Sequence, residues 1–252
     1  MAIERVMENK KAFTLAEVLV VLGIIGVVAS VTVPNVVHKY RAWQLRVAFN
    51  KSYSNIQNAF TKMKADMGFE GLGNYFAYYD GKDYTHAGEF NREFPKYFRS
   101  IKTVDYKKGD LTATNYSNTV VHKPTDNGGY CRPFSYYQKM YILPDGSSFH
   151  TMVINNKAII TVDTNGPYKK PNRMGYDIFM FEVDKSNDRI VPMKMEKLYT
   201  KEELQGRSDS SHRGIPCSSK SSQSANGCGC AWYAVNDINP DDETKGYWES
   251  LK

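Results

Sequence analysis

The chain predicts an α+β fold in which one long N-terminal helix, transmembrane in its first half and amphipathic in its second, packs on a small antiparallel β-sheet. Three observations predict it. Phe13 to Val37 is an apolar run with little to interrupt it except Glu17. Beyond Pro34, apolar residues continue at Val36, Val37, Tyr40, Trp43, Val47, Ile56, Phe60 and Met63, mostly three or four apart, as one helix face requires. From Gln138 onward, short β-branched and aromatic segments alternate with turns rich in Gly, Pro and Asn. The 252 residues divide accordingly into a cytoplasmic leader (1–12), a transmembrane helix (13–37) and an extracytoplasmic domain (38–252) long enough for a single core.

The leader carries Arg5, Lys10 and Lys11 against Glu4 and Glu8, so it is net positive and belongs on the cytoplasmic side. His38, Lys39, Arg41 and Arg46 on the far side oppose that bias. Phe13 to Val37 is 25 residues, about 37 Å as a helix and enough for a hydrocarbon core of about 30 Å. Glu17 is the odd residue, because an ionisable group at the head of a membrane helix is a functional hypothesis by default. Two simpler readings compete. Val27-Val28-Ala29 could serve as the cleavage site of an ordinary secretory signal, or the run could be a plain anchor. The apolar stretch is longer than a signal peptide needs, and neither alternative requires Glu17.

Lys10-Lys11-Ala12 followed by Phe13-Thr14-Leu15-Ala16-Glu17 resembles the processing motif of type IV pilin and type II secretion pseudopilin precursors. The resemblance implies a pilin-like fold, cleavage by a prepilin peptidase between Ala12 and Phe13, and N-methylation of Phe13. It also implies that Glu17 pairs with the N-terminal amine of a neighbouring subunit, and that Pro34 is the helix proline many pilins carry. The departure from the pattern is Ala12, where the family usually has Gly. Other pilin or pseudopilin subunits, the inner-membrane assembly platform and the peptidase are the implied partners.

The remaining elements follow in order. The helix extends to about residue 65, with Lys39, Arg46, Lys51, Lys62 and Lys64 on its polar side and Gly68 as the stop signal. Region 66–135 is variable in character and rich in Tyr, Phe, Gly and Lys. Its interleaved aromatic and basic residues could bind single-stranded nucleic acid or glycans, but core packing is the commoner use. Phe90, Phe94 and Tyr97 predict a short helix over 88–99. A β-meander over 138–195 has strands at 139–143, 148–154, 158–163, 176–183 and 189–193, with Pro144-Asp145-Gly146 as its clearest turn. A Cys-bounded loop, 205–252, ends the chain.

Val162-Asp163-Thr164-Asn165-Gly166-Pro167 through Pro171-Asn172 to Gly175-Tyr176-Asp177-Ile178-Phe179 is similar to a pattern near the end of many pseudopilin-like subunits. In some major pseudopilins a nearby loop binds calcium, which implies Asp163, Asn165 and Asp177 as oxygen ligands here. Asx-Gly is equally a turn signature, the EF-hand spacing is missing, and Lys169 and Lys170 sit within the loop. No other cofactor is called for. Cys131, Cys217, Cys228 and Cys230 all follow the membrane segment, where disulfides form. Cys228 and Cys230 are too close to pair comfortably with each other, so Cys131 is expected to join one of the terminal cluster and Cys217 the other. A zinc site is the alternative, although the spacing is unlike common zinc knuckles and lacks a His pair.

Nothing points to an enzyme. His86, His122, His150 and His212 are scattered, without HExxH, P-loop, GxGxxG or nucleophile-elbow context. The net charge of +6 mildly favours an anionic partner, but it is dispersed and most basic proteins bind nothing specific, so nucleic acid is not the expected partner. The expectation is a structural subunit of a type IV pilus or type II secretion pseudopilus. At 252 residues it is long for a compact major subunit and better suited to a minor one. It would sit in the bacterial inner membrane with one pass and its C-terminal domain outside, and at the cell surface or in the periplasm after assembly. The alternative is a membrane-tethered or secreted binding protein, adhesin-like or DNA-uptake, that does not polymerise.

Overall fold

The computed structural model describes residues 14–83, 85–99, 102–104, 113–118, 120–122, 139–154, 156–194, 217–221 and 226–251. The chain divides into two units, Met1–Arg41 and Ala42–Lys252. The first is helical from Leu15 onward and nearly all of its apolar side chains are exposed, Leu19 by 61% and Val31 by 64%. So much uncovered apolar surface is tolerable only in lipid or against other chains. The segment's few polar side chains bond back to their own helix. Ser30 donates to the Val27 carbonyl, Thr32 to Val28 and Asn35 to Val31. Helix α1, Leu15–Met67, runs through Pro34.

In the second unit α1 turns a different stripe to the core from the one its largest side chains predict. Ala42, Leu45, Phe49, Ser52, Ile56, Ala59 and Met63, spaced alternately three and four apart, face inward. Val36, Val37, Tyr40, Trp43 and Val47 are exposed. The core face of α1 near residues 42–47 therefore lies on nearly the opposite side of the helix from Trp43 and Val47. Its true members there include small residues, Ala42 and further on Ser52, which a search for bulk passes over. Phe49 packs edge-on to Phe179 at 4.5 Å and lies within 5.4 Å of Trp248. Tyr53 stacks on Phe181 at 5.1 Å.

The sheet is antiparallel with strand order β1-β4-β5-β6-β7-β8. Its strands are β1 Lys102–Val104, β4 Met140–Ile142, β5 Ser148–Ile154, β6 Lys157–Asp163, β7 Ile178–Asp184 and β8 Arg189–Pro192. Four of these form the expected hairpin succession from β5 to β8, and β4 precedes them. Strand β1 was not anticipated; it comes from within region 66–135 and pairs Thr103 with Tyr141. A separate ribbon joins β2, Ala113–Thr114, to β3, Val120–His122. The β4–β5 turn forms at Pro144-Asp145-Gly146, where Gly146 takes φ 86° and its N–H donates to the Leu143 carbonyl at 2.9 Å. Lys51 on α1 holds Asp145 in this turn at 2.8 Å.

Helices α2, Leu72–Phe76, and α3, Ala87–Glu93, with a 3₁₀ turn at Phe94–Tyr97, replace most of the undefined stretch after α1. Phe76, Phe90 and Phe94 are fully buried, so these aromatics are core rather than a binding face. Asp188, in the β7–β8 turn, accepts N–H bonds from Gly71 and from Gly73 (3.0 Å). Gly73 is required there, since a Cβ would come within 2.9 Å of Lys185 Cα.

The C-terminal segment is not a loop throughout. Helix α4, Cys230–Asn236, and a 3₁₀ turn at Trp248–Ser250 lie within it. Tyr247, Trp248 and Leu251 are buried in the same core as α1 and the sheet. The Trp248 indole donates to the Ala234 carbonyl at 3.1 Å, and Arg46 of α1 pairs with Asp237 at 3.0 Å.

Candidate functional site

The head of α1 is a capping box. Thr14 is the N-cap and Glu17 the third helical residue, the spacing at which each side chain reaches the other's backbone. The Thr14 N–H and hydroxyl each donate to Glu17 Oε2 at 2.8 Å, and the Glu17 N–H donates to Thr14 Oγ1 at 3.2 Å. The carboxylate that looks anomalous at a membrane helix therefore has two donors within its own chain, and it sits where the helix dipole favours negative charge. Ala12 and Phe13 lie outside the described residues. Pro34 lies within the helix and, lacking an N–H, leaves the Ser30 carbonyl without its i→i+4 partner.

The second candidate is the loop between β6 and β7. Asp163 Oδ1 accepts the N–H groups of Asn165 (3.2 Å) and Gly166 (2.9 Å). Asp177 Oδ1 accepts from Arg173 N–H (2.6 Å), while its Oδ2 accepts from Asn172 N–H (2.8 Å) and the Asn165 amide (3.2 Å). The loop thus brings Asp163, Asn165 and Asp177 together. Asp177 spends both oxygens on the loop's own donors. Three buried oxygens, Asp163 Oδ2, Asn165 Oδ1 and Asn172 Oδ1, have no hydrogen-bond donor. Burial, then the neighbouring Asp177 charge, pushes the Asp163 carboxyl well above the usual carboxylate range. Burial likewise raises Asp177 to about 6, against the pull of its N–H donors. Donor-poor oxygens on Asp163, Asn165 and Asn172 are of the kind a hard cation takes, so these residues could hold calcium, with Asn172 an oxygen not anticipated from the sequence. Among the described residues no group of three or more His, Cys, Asp and Glu gathers as a metal site.

Residues 7–33 match the prokaryotic N-terminal methylation motif. The motif is the signature of type IV pilins and pseudopilins, and it spans Glu17 and the N-terminal part of the apolar helix. No curated protein and no solved structure matches the chain. The prepilin motif and the fold agree, because a long N-terminal helix with an antiparallel sheet is a pilin-like arrangement. The helix Leu15–Met67 is long and apolar enough to cross a membrane, and with the motif it fits an inner-membrane anchored protein.

Cys217 and Cys230 form a disulfide, and Cys228 is also disulfide-bonded. These thiolates are therefore not zinc ligands. Cys131 lies outside the described residues. The Cys217–Cys230 link sits beside the 163–177 loop: a Cβ on Gly175 would fall 2.6 Å from Cys230 Sγ, and the Tyr247 hydroxyl donates to the Gly175 carbonyl. The sequence reading saw the terminal cysteines and the Asx-rich loop separately and missed that they adjoin. It also missed Thr14 as the partner of Glu17, which a search for Thr-x-x-Glu ahead of an apolar run would have found.

Proposed function

We propose that the chain is a prepilin-type structural subunit, cut between Ala12 and Phe13, methylated on Phe13 and assembled through its N-terminal helix into a type IV pilus or a secretion pseudopilus. The observation that carries this is the Thr14–Glu17 box inside the methylation motif, at the head of an uncovered apolar helix. In the bilayer the box keeps the carboxylate hydrogen-bonded. In a filament the amine of a neighbouring Phe13 would replace the membrane interface as the carboxylate's surroundings, and an ion pair formed away from water would fix the axial register. The inner membrane holds the precursor in one pass, with the domain from residue 38 outside. Tyr40 and Trp43, exposed just past the apolar stretch, suit the membrane–water interface. At 252 residues the chain is long for a compact major subunit, which suits a minor one.

The test is the N-terminus of the mature protein. Mass spectrometry should find N-methyl-Phe13; a chain beginning at Ser30 would mean signal peptidase and overturn the reading. Within the same proposal, Asp163 Oδ2, Asn165 Oδ1 and Asn172 Oδ1 would hold a calcium ion, whose charge would neutralise the buried carboxyls and stiffen the loop. Calorimetry with no calcium heat and no thermal shift would remove the ion while leaving the subunit reading intact.

A further inference from the structure

An open cleft of about 330 Å³ lies in the second unit, between α1, the segment after the 3₁₀ turn at Phe94–Tyr97, and the β4–β5 turn. Its charge is uneven. Lys62 of α1 and Arg99 border it, both exposed, and among the described residues neither forms an ion pair. The cleft's own carboxylate, Asp145, and Asp66 beside Tyr97 are both engaged. Asp145 is held by Lys51 at 2.8 Å and by the Ser147 hydroxyl at 2.6 Å, and Asp66 takes the Tyr97 hydroxyl. Asn55 and Asn58, three apart on α1, present side-chain amides on the same wall. Leu143 and Pro144 make the opposite wall apolar, and the ring of Phe98, packed on Phe149 at 4.4 Å, is fixed beside it.

From this arrangement we infer that the cleft binds the acidic sugar unit of a glycan, a hexuronate. A carboxylate is what an Arg and a Lys lining one cleft recognise, with the guanidinium offering two parallel donors. Adjacent amides donate and accept, as vicinal hydroxyls require. An apolar wall covers the C–H face of a sugar ring. The cleft is far larger than a bare phosphate or sulfate needs, and its size is that of a small-ligand site. The inference does not depend on assembly and would hold for a tethered monomer.

The test uses the full chain in detergent micelles, titrated with methyl galactopyranosiduronate by isothermal calorimetry. The comparison ligands are neutral methyl galactopyranoside, acetate, inorganic phosphate and a short oligothymidylate. Saturable uronate binding is expected, weakened about tenfold or more in Lys62→Gln/Arg99→Gln, with the other ligands weaker by a similar factor. Both substitutions are at exposed positions, so an unchanged Tm separates lost binding from lost folding. Asn58→Leu should weaken uronate and leave the response to acetate unaltered. Any of four results overturns the inference: no saturable uronate binding, equal binding by the double variant, acetate or phosphate binding as tightly as uronate, or tighter binding of the oligothymidylate.

Discussion

At Glu17 one carboxylate serves two states. In the single chain it accepts from Thr14; in the proposed filament it also faces a neighbour's amine. Thr14→Ala should therefore leave insertion and cleavage intact while fraying the helix start by about 1 kcal/mol. Glu17→Ala should be processed normally yet remain in the membrane fraction, with sheared filaments depleted of the variant on immunoblotting. Normal incorporation of Glu17→Ala would remove the amine-pairing role. In the β6–β7 loop the sign of the pH effect follows from the raised carboxyls. Asp177 titrates at about 6 in the folded chain, against about 4 unfolded, and Asp163 is raised as well. The folded chain thus holds protons that the unfolded chain has released. Stability from Asp177 is therefore present at low pH and is lost as pH rises through about 4 to 6, and Asp163 contributes a loss in the same direction. In calcium-free buffer, Asp163→Asn should raise Tm at pH 7 and lose that advantage at pH 4. With calcium at pH 7, wild type should gain Tm and the variant should not.

At the scale of elements, α1 and the sheet depend on a seam of aromatic contacts. Phe49 touches Phe179, Phe181 and Trp248, and so joins α1, β7 and the C-terminal 3₁₀ turn. Phe49→Ala should destabilise the domain by about 3–5 kcal/mol, read as a lower urea midpoint, whereas Trp43→Ala, at an exposed position, should leave that midpoint nearly unchanged. The contrast checks the stripe of α1 directly. The strands β5 to β8 and the turns between them were legible because alternation and turn chemistry are local. Strand β1 was not: three residues, Lys102–Val104, carry no periodic signal, and only β4 across from them makes them a strand. Helix α2 likewise owes its position to Asp188, more than a hundred residues away.

For the molecule as a whole, the C-terminal segment closes the core rather than trailing from it. Cys217–Cys230 spans a sequence separation of 13, and Tyr247 and Trp248 are buried behind it. Cys217→Ser should destabilise the domain by about 3 kcal/mol and, because Gly175 lies against Cys230 and Tyr247, should also weaken any calcium response of the β6–β7 loop. A variant that loses stability but keeps the full calcium response would show that the two regions act separately.

The sequence by itself determined the apolar helix with its single carboxylate, the processing motif, the β5–β8 succession and the Asx-rich loop. Each of these is written in neighbouring residues, as length, period or turn chemistry. The packed chain alone reveals which stripe of α1 faces inward, where Lys102–Val104 pairs, and that the terminal disulfide abuts the 163–177 loop. It alone placed Lys62 and Arg99 over a cleft where, among the described residues, neither forms an ion pair. Burial and pairing across a hundred residues depend on what the rest of the chain supplies, and a small inward-facing residue such as Ala42 or Ser52 differs from an exposed one only by the partner that covers it.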